Sequence, residues 1–213
     1  MSSSEVRLVA LISGGIDSPV AVHKMAARGA DVILLHMDNR PYTDSRCIEK
    51  VKKLAARLSD VCEKEMPLYV ADHGMNQTII RRRSDSSYQC VLCKRLMMRV
   101  AKEFALRNGC SGIIMGDSMG QVASQTLRNI RSESSDLGFP VARPLIGLDK
   151  LEIETMAKKI GTYEISIIPE APCGAVPQRP ITEANLSKVM MLQSELDFDD
   201  MVRASADSTE RIQ

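Results

Sequence analysis

The chain has 213 residues, 44% hydrophobic and 26% charged, with a formal net charge of +1. That length suits one sizeable α/β domain and excludes a small fold that depends on disulfides. A near-neutral balance neither requires nor excludes a nucleic-acid partner, while the lack of Trp and the 3% aromatic content argue against a base-stacking platform. Residues 1–5 show neither the basic start nor the apolar stretch of a signal peptide, and no apolar run approaches the roughly 18 residues of a membrane helix. A cytoplasmic protein with no membrane partner is expected, its six cysteines thiols or metal ligands rather than disulfides.

Val6 to Ile12 reads as a buried parallel strand, nearly all apolar apart from Arg7. Ser13 to Asp17 forms a loop, with Ser18 as helix N-cap and Pro19 as first helical residue. That helix runs to about Arg28 and stops at Gly29, and Asp31 to Met37 completes a strand–helix–strand unit. A helix over 45–59, a strand over Met66 to Ala71 and a short helix over 74–83 follow, then a loop from Ser84 to Tyr88. From Cys90 to Asn108, Leu92, Leu96, Val100 and Phe104 make the stripe of an amphipathic helix ended by Gly109. Gly112 to Gly116 reads as a strand, Val122 to Ile130 as a helix and Arg131 to Gly138 as a loop. A helix from Leu148-Asp149 to Ile160 stops at Gly161, and Pro169 to Pro180 is irregular. Helices over about Thr182 to Leu196 and Phe198 to Ala206 precede a polar tail. Alternating strands and helices predict a doubly wound α/β fold with a mainly parallel sheet, over residues 1–180, and a small helical extension over 181–213.

The ligand of such a sheet sits beyond the carboxyl ends of its strands, where Ser13-Gly14-Gly15-Ile16-Asp17-Ser18 enters a helix N-terminus. Gly14 and Gly15 let the backbone approach phosphate oxygens, and Ser13 and Ser18 add hydroxyl donors. Asp17 would repel phosphate unless a cation lies between them, so its expected role is to hold Mg²⁺. The spacing fits neither GxxxxGK[ST] nor GxGxxG.

SGGxDS in this setting resembles the PP-loop ATP pyrophosphatases, which have an adenine nucleotide alpha hydrolase-like fold. That resemblance implies that ATP is split to pyrophosphate and an adenylated substrate. The segments 13–21 (SGGIDSPVA), 116–126 (GDSMGQVASQT) and 143–149 (RPLIGLD) together resemble the catalytic domain of the tRNA 4-thiouridine sulfurtransferases, a ThiI-like family also tied to thiamine biosynthesis. The resemblance covers roughly residues 5–190 and implies nucleotide contacts at Leu11, Ile12, His36, Met37, Lys94, Gly116 and Gln125.

Cys90 and Cys93 are spaced CxxC at a helix start, where the helix N-terminus, Lys94 and Arg95 are expected to favour thiolates. Cys173 lies in the irregular Ala-Pro-Cys-Gly segment. The pattern is similar to the thiolases that lack a rhodanese domain and hold a [4Fe-4S] cluster on CxxC plus one distant Cys, which implies Cys90, Cys93 and Cys173 as cluster ligands. A zinc site, a Cys90/Cys93 redox pair and a persulfide on Cys173 are the alternatives. Cys47, Cys62 and Cys110 read as core or surface residues, His23 and His73 as ordinary, and Met190-Met191 as packing. Arg81-Arg82-Arg83 with Lys94, Arg95 and Arg99 is either a tRNA-binding surface or a solvated face.

The function expected from the resemblance is an ATP-dependent sulfurtransferase that adenylates a tRNA uridine and replaces the activated oxygen with sulfur. The alternatives are a PP-loop enzyme using a nitrogen nucleophile and a nucleotide-binding subunit without turnover. The family's N-terminal tRNA-binding region has no counterpart in the about five residues before the first strand, so either a separate protein presents the tRNA or the substrate is not the usual one. A separate tRNA-binding protein is expected, with a sulfur donor and a homodimeric assembly.

Overall fold

The structure, a computed structural model, describes residues 6–119 and 125–213. Its sheet has six strands in the order β5-β4-β1-β2-β3-β6. These are β1 (Arg7–Leu11), β2 (Asp31–Asp38), β3 (Leu68–Asp72), β4 (Ile113–Ile114), β5 (Val141–Ala142) and β6 (Glu210–Arg211). All pairs are parallel except β3 with β6. The helices are α1 (Asp17–Ala26), α2 (Arg46–Cys62), α3 (Gly74–Arg83), α4 (Gln89–Arg107), α5 (Leu127–Ser134), α6 (Lys150–Ile160), α7 (Tyr163–Ser166), α8 (Leu186–Ser194) and α9 (Phe198–Asp207). Among the described residues no helix is long and apolar enough to cross a membrane.

Strand alternation distributes the central residues between two cores. Leu8 and Ala10 of β1 and Val32 and Leu34 of β2 pack with α1, α2 and α6. Val9, Leu11, Ile33 and Leu35 face the opposite way, toward α4 and α9. A third cluster joins α3, α4, α8 and α9 through Ile80, Leu92, Leu96, Val189 and Phe198. Residues from 181 onward therefore share their apolar contacts with α4, and β6 extends the sheet.

Several elements depart from expectation. Ser18 is not the cap of α1: the N-cap position is Ile16, and the Ser18 hydroxyl turns back into the loop. Residues 131–134 continue α5, because Thr126 caps that helix by accepting from Asn129 N. Residues 120–124, which include the middle of the 116–126 motif and the start of the expected helix at 122, lie outside the described residues, as do residues 1–5. The polar tail supplies β6, and β5 is a strand too short to show a period. The stops at Gly29, Gly109 and Gly161 occur where φ is +93°, +65° and +75°. Met190 and Met191 are exposed rather than core.

Arg95 and Arg99 do not form a basic surface with Arg81–Arg83. The Arg95 side chain is fully buried, donating to Asp136 Oδ1 (2.5 Å), Ser132 O (2.7 Å) and Gln193 Oε1 (2.5 Å), and Arg99 donates to the other Asp136 oxygen at 3.0 Å. Arg95→Ala leaves these acceptors unpaired and is expected to lower unfolding free energy in urea by about 3 kcal/mol, whereas Arg82→Ala, on the exposed end of α3, is expected to change it by less than about 0.5 kcal/mol.

Candidate functional site

β1 brings Leu11 and Ile12 to the carboxyl edge of the sheet, and the chain turns through residues 13–16 into α1. Two serines brace that turn. Ser13 N donates to Ser18 Oγ at 2.9 Å, the two hydroxyl oxygens lie 3.1 Å apart, and Gly15 N donates to Ser13 Oγ at 3.3 Å. The Ser166 hydroxyl donates to Gly15 O at 3.2 Å, tying the turn to α7. Gly116, just beyond β4, closes against the loop: a Cβ there would lie 2.8 Å from Ser18 Cα and N. A side chain at 116 therefore displaces backbone.

A cavity of about 240 Å³ opens between this turn, α4 and the segment after β4. It gathers Leu11, Ile12, Ser13, Gly15, Asp17, Ser18, Lys94, Gly116 and Gln125. Three expected contacts lie elsewhere. The room left by Gly14 is taken by the Glu170 carboxylate. His36 is buried, its Nδ1 3.0 Å from Ile12 O, and Met37 packs in the core facing α4. Burial holds the His36 imidazole below its ordinary pKa, against the opposing pull of the Ile12 carbonyl. The Gln125 side-chain oxygen is buried with no hydrogen-bond partner among the described residues, so it presents an open acceptor.

Charge is organised around Asp117. Its two oxygens accept from Lys94 Nζ and Arg143 Nε, each at 3.0 Å, and only 4% of its side chain is exposed. Lys94 Nζ also lies 3.9 Å from Glu133, whose side chain is fully buried and whose two oxygens have no hydrogen-bond partner among the described residues. Burial, only partly offset by Lys94, pushes the Glu133 carboxyl up to about 7. Burial opposes the Lys94 charge as well, but Glu133 and Asp117 together outweigh it and raise the ammonium's pKa. Burial and then the neighbouring Asp117 hold the Asp17 carboxyl above its ordinary range. A carboxylate destabilised in this way is relieved by a cation, so Asp17 fits Mg²⁺, a hard ion that prefers oxygen ligands.

The same α4 carries the thiols. Cys90, Cys93 and Cys173 lie within electrostatic reach of one another. Cys93 Sγ accepts from Gln77 Nε2 at 3.0 Å and lies 3.4 Å from Nε2 of the fully buried His73. The thiolates expected at Cys90 and Cys93 are disfavoured. Burial raises both pKa values well before the lowering effect of Lys94 is felt, and Arg95 points away into its own acceptors. Among the described residues no three Cys, His, Asp or Glu side chains converge on a single metal ion. The donor set, three thiols brought near one another from α4 and the segment around Cys173, has the chemistry of a soft-metal site.

Asp117 and Arg143 fall inside quoted motifs, yet their role was not read from them. Glu133 and His73 gave no signal in the sequence, because each depends on neighbours brought in by the fold.

A parallel sheet with helices on both faces and a Ser-Gly-Gly turn at the edge of its first strand defines the PP-loop class of the adenine nucleotide alpha hydrolase fold. Residues 3–198 match the family model of the thiamine biosynthesis protein ThiI, and the chain belongs to that family. It is 42% identical over 202 residues to a "Probable tRNA sulfurtransferase" of Methanothermobacter thermautotrophicus, covering 94% of this chain and 52% of the relative. A solved 4-thiouridine synthetase–RNA complex with bound ATP is 34% identical with a TM-score of 0.91, covering 98% of this chain and 55% of that one. NMN synthetase from Francisella tularensis shares the fold alone, at 15% identity and a TM-score of 0.57 over 96% of this chain and 85% of its own. The chain spans about half the length of the curated relatives it matches.

Gly116→Ala is expected to push the Ser18 backbone out of place and weaken nucleotide binding by about tenfold or more in a titration with ATP, because the 2.8 Å contacts are to main chain. The Glu133 carboxyl contributes to the pH dependence of stability. Its folded pKa of about 7 lies above its unfolded value, so its favourable contribution is complete below the unfolded pKa and is lost as pH rises through about 7. Urea unfolding of Glu133→Gln is expected to match the wild type at pH 5 and to exceed it at pH 8.

Proposed function

We propose that this chain is the adenylating and sulfur-transferring domain of an ATP-dependent tRNA sulfurtransferase that makes 4-thiouridine. The observation that carries the reading is the shared helix α4, which puts Lys94 in the nucleotide cavity and Cys90 and Cys93 beside it. Residues 1–180 hold this chemistry, while 181–213 pack helices on α4 and add β6 to the sheet.

In this reading the Ser13–Ser18 turn and the first turn of α1 grip the β- and γ-phosphates of ATP through backbone N–H groups. The uridine O4 attacks the α-phosphorus, and pyrophosphate leaves. Asp17 holds Mg²⁺, which when bound supplies charge neutralisation for that leaving group. Lys94, fixed by Asp117, places its ammonium where negative charge collects on the adenylate. Gln125 offers its unpaired carbonyl to a nucleotide N–H donor. Sulfide then adds at C4 of the uracil, the C4–O bond breaks, and AMP departs with the uridine's oxygen. Cys90, Cys93 and Cys173 are the residues that would hold a [4Fe-4S] cluster, which when bound would supply a binding site for sulfide.

Arg81 of α3 and Arg179 line a second cavity of about 480 Å³ that runs along residues 174–179, next to Cys173. Both side chains are exposed, and with Arg82 they supply charge for RNA phosphates in place of Arg95 and Arg99. A separate RNA-binding protein or region, a sulfur donor and a homodimer through exposed faces such as Met190-Met191 complete the proposal.

The test uses protein purified without oxygen, with substrate RNA and a sulfide source. Asp17→Ala is expected to reduce pyrophosphate release about 100-fold or more. Cys173→Ala is expected to keep pyrophosphate release and lose both bound iron and 4-thiouridine, measured by nucleoside mass spectrometry. Wild-type protein that carries stoichiometric zinc and no iron, or Asp17→Ala that releases pyrophosphate at the wild-type rate, contradicts the reading.

A further inference from the structure

Beside the phosphate turn lies a charged pair that the mechanism above does not use. Lys50, on the first half of α2, is only 5% exposed. Its ammonium meets Glu170 Oε1 at 3.4 Å, longer than the roughly 2.7–2.9 Å of a well-formed ammonium–carboxylate hydrogen bond. Glu170 Oε2 is buried with no hydrogen-bond partner among the described residues. The pair is incompletely satisfied on the Glu170 side, which is costly for buried charge.

Its position bears on the chemistry. A Cβ built on Gly14 would meet the two Glu170 oxygens at 2.8 and 3.0 Å and Lys50 Cδ at 3.1 Å. The carboxylate thus occupies the space that the first glycine of the turn leaves open, as an anion seated on an anion-binding loop. Glu170 comes from the irregular stretch after α7 and also lies within electrostatic reach of His36. A carboxylate held by one long ammonium contact and the Cys47 thiol is a weaker occupant than a pyrophosphate group, which carries more charge and more acceptor oxygens.

Resting on the phosphate-loop reading, we propose that Lys50 is a further pyrophosphate-binding residue. Glu170 is its internal competitor, holding the ammonium and the space over Gly14 until the β- and γ-phosphates displace it. Lys50 then exchanges a long contact to a carboxylate for a charge-assisted hydrogen bond to phosphate, and Glu170 moves out toward solvent. The two residues therefore act on phosphate affinity with opposite signs. A pair that merely fastens residue 170 to α2 has no such asymmetry.

The experiment is calorimetric titration of the intact protein with magnesium pyrophosphate and, separately, with AMP. Lys50→Met is expected to weaken pyrophosphate binding about 10- to 100-fold, the range for losing one charge-assisted hydrogen bond, and to leave AMP affinity unchanged. Glu170→Gln is expected to tighten pyrophosphate binding about 3- to 10-fold by removing a like charge from the site. If Lys50→Met does not fold, the Glu170→Gln titration decides alone. Wild-type affinity in both variants, or a weakened Glu170→Gln, overturns the proposal and leaves the phosphate-loop reading standing. Folded wild-type protein that binds no pyrophosphate overturns both.

Discussion

The contact on which the site depends is the buried carboxylate of Asp117, held between Lys94 of α4 and Arg143 beyond β5. It joins the end of β4, the cysteine-bearing helix and the neighbouring edge strand by side chains alone. Removing either cation strands the carboxylate in a poorly solvated position, which makes the three segments interdependent. Glu133 adds a second acid to the cluster, with its carboxyl pushed up to about 7 by burial. The cluster fixes where Lys94 points, and Lys94 in turn defines one wall of the cavity beside the Ser13–Ser18 turn.

That arrangement gives α4 two outputs. Its first turn carries Cys90, Cys93 is buried against Gln77 and His73, and Lys94 enters the cavity. A rigid helix anchored at several points spaces the cavity and the thiols more accurately than a loop does. Cys173 approaches from the other side on an irregular segment whose Gly174 N donates to Tyr42 O at 2.8 Å. The thiols themselves are in a setting that favours their protonated form, so a bound metal, rather than nearby basic side chains, is what would make them thiolates.

The parts legible in the sequence were those decided locally. Val6 to Ile12, the Ser-Gly-Gly turn and the helix beginning near Ser18 announce themselves by apolar run, glycine pair and Ser-Pro start. Asp149 and Glu152 form the capping box of α6 as their spacing allows. What could not be read depends on contacts between distant segments. Arg95 looks like a surface cation until residues 132–136 and 190–193 close over it. Ser18 has the chemistry of a cap and instead braces the loop, because Ser13 N lies within reach. The pairing of Lys50 with Glu170 joins α2 to a proline-rich stretch with no periodicity. The two-residue strands β5 and β6 gain their identity only from the strands beside them.

In the proposed reaction the uridine oxygen itself becomes part of the adenylate. Substrate RNA carrying ¹⁸O at uridine O4 tests it directly. After turnover with ATP and sulfide, mass spectrometry is expected to find one ¹⁸O in the phosphate of the released AMP and none in pyrophosphate. Unlabelled AMP accompanying newly formed 4-thiouridine would contradict the account.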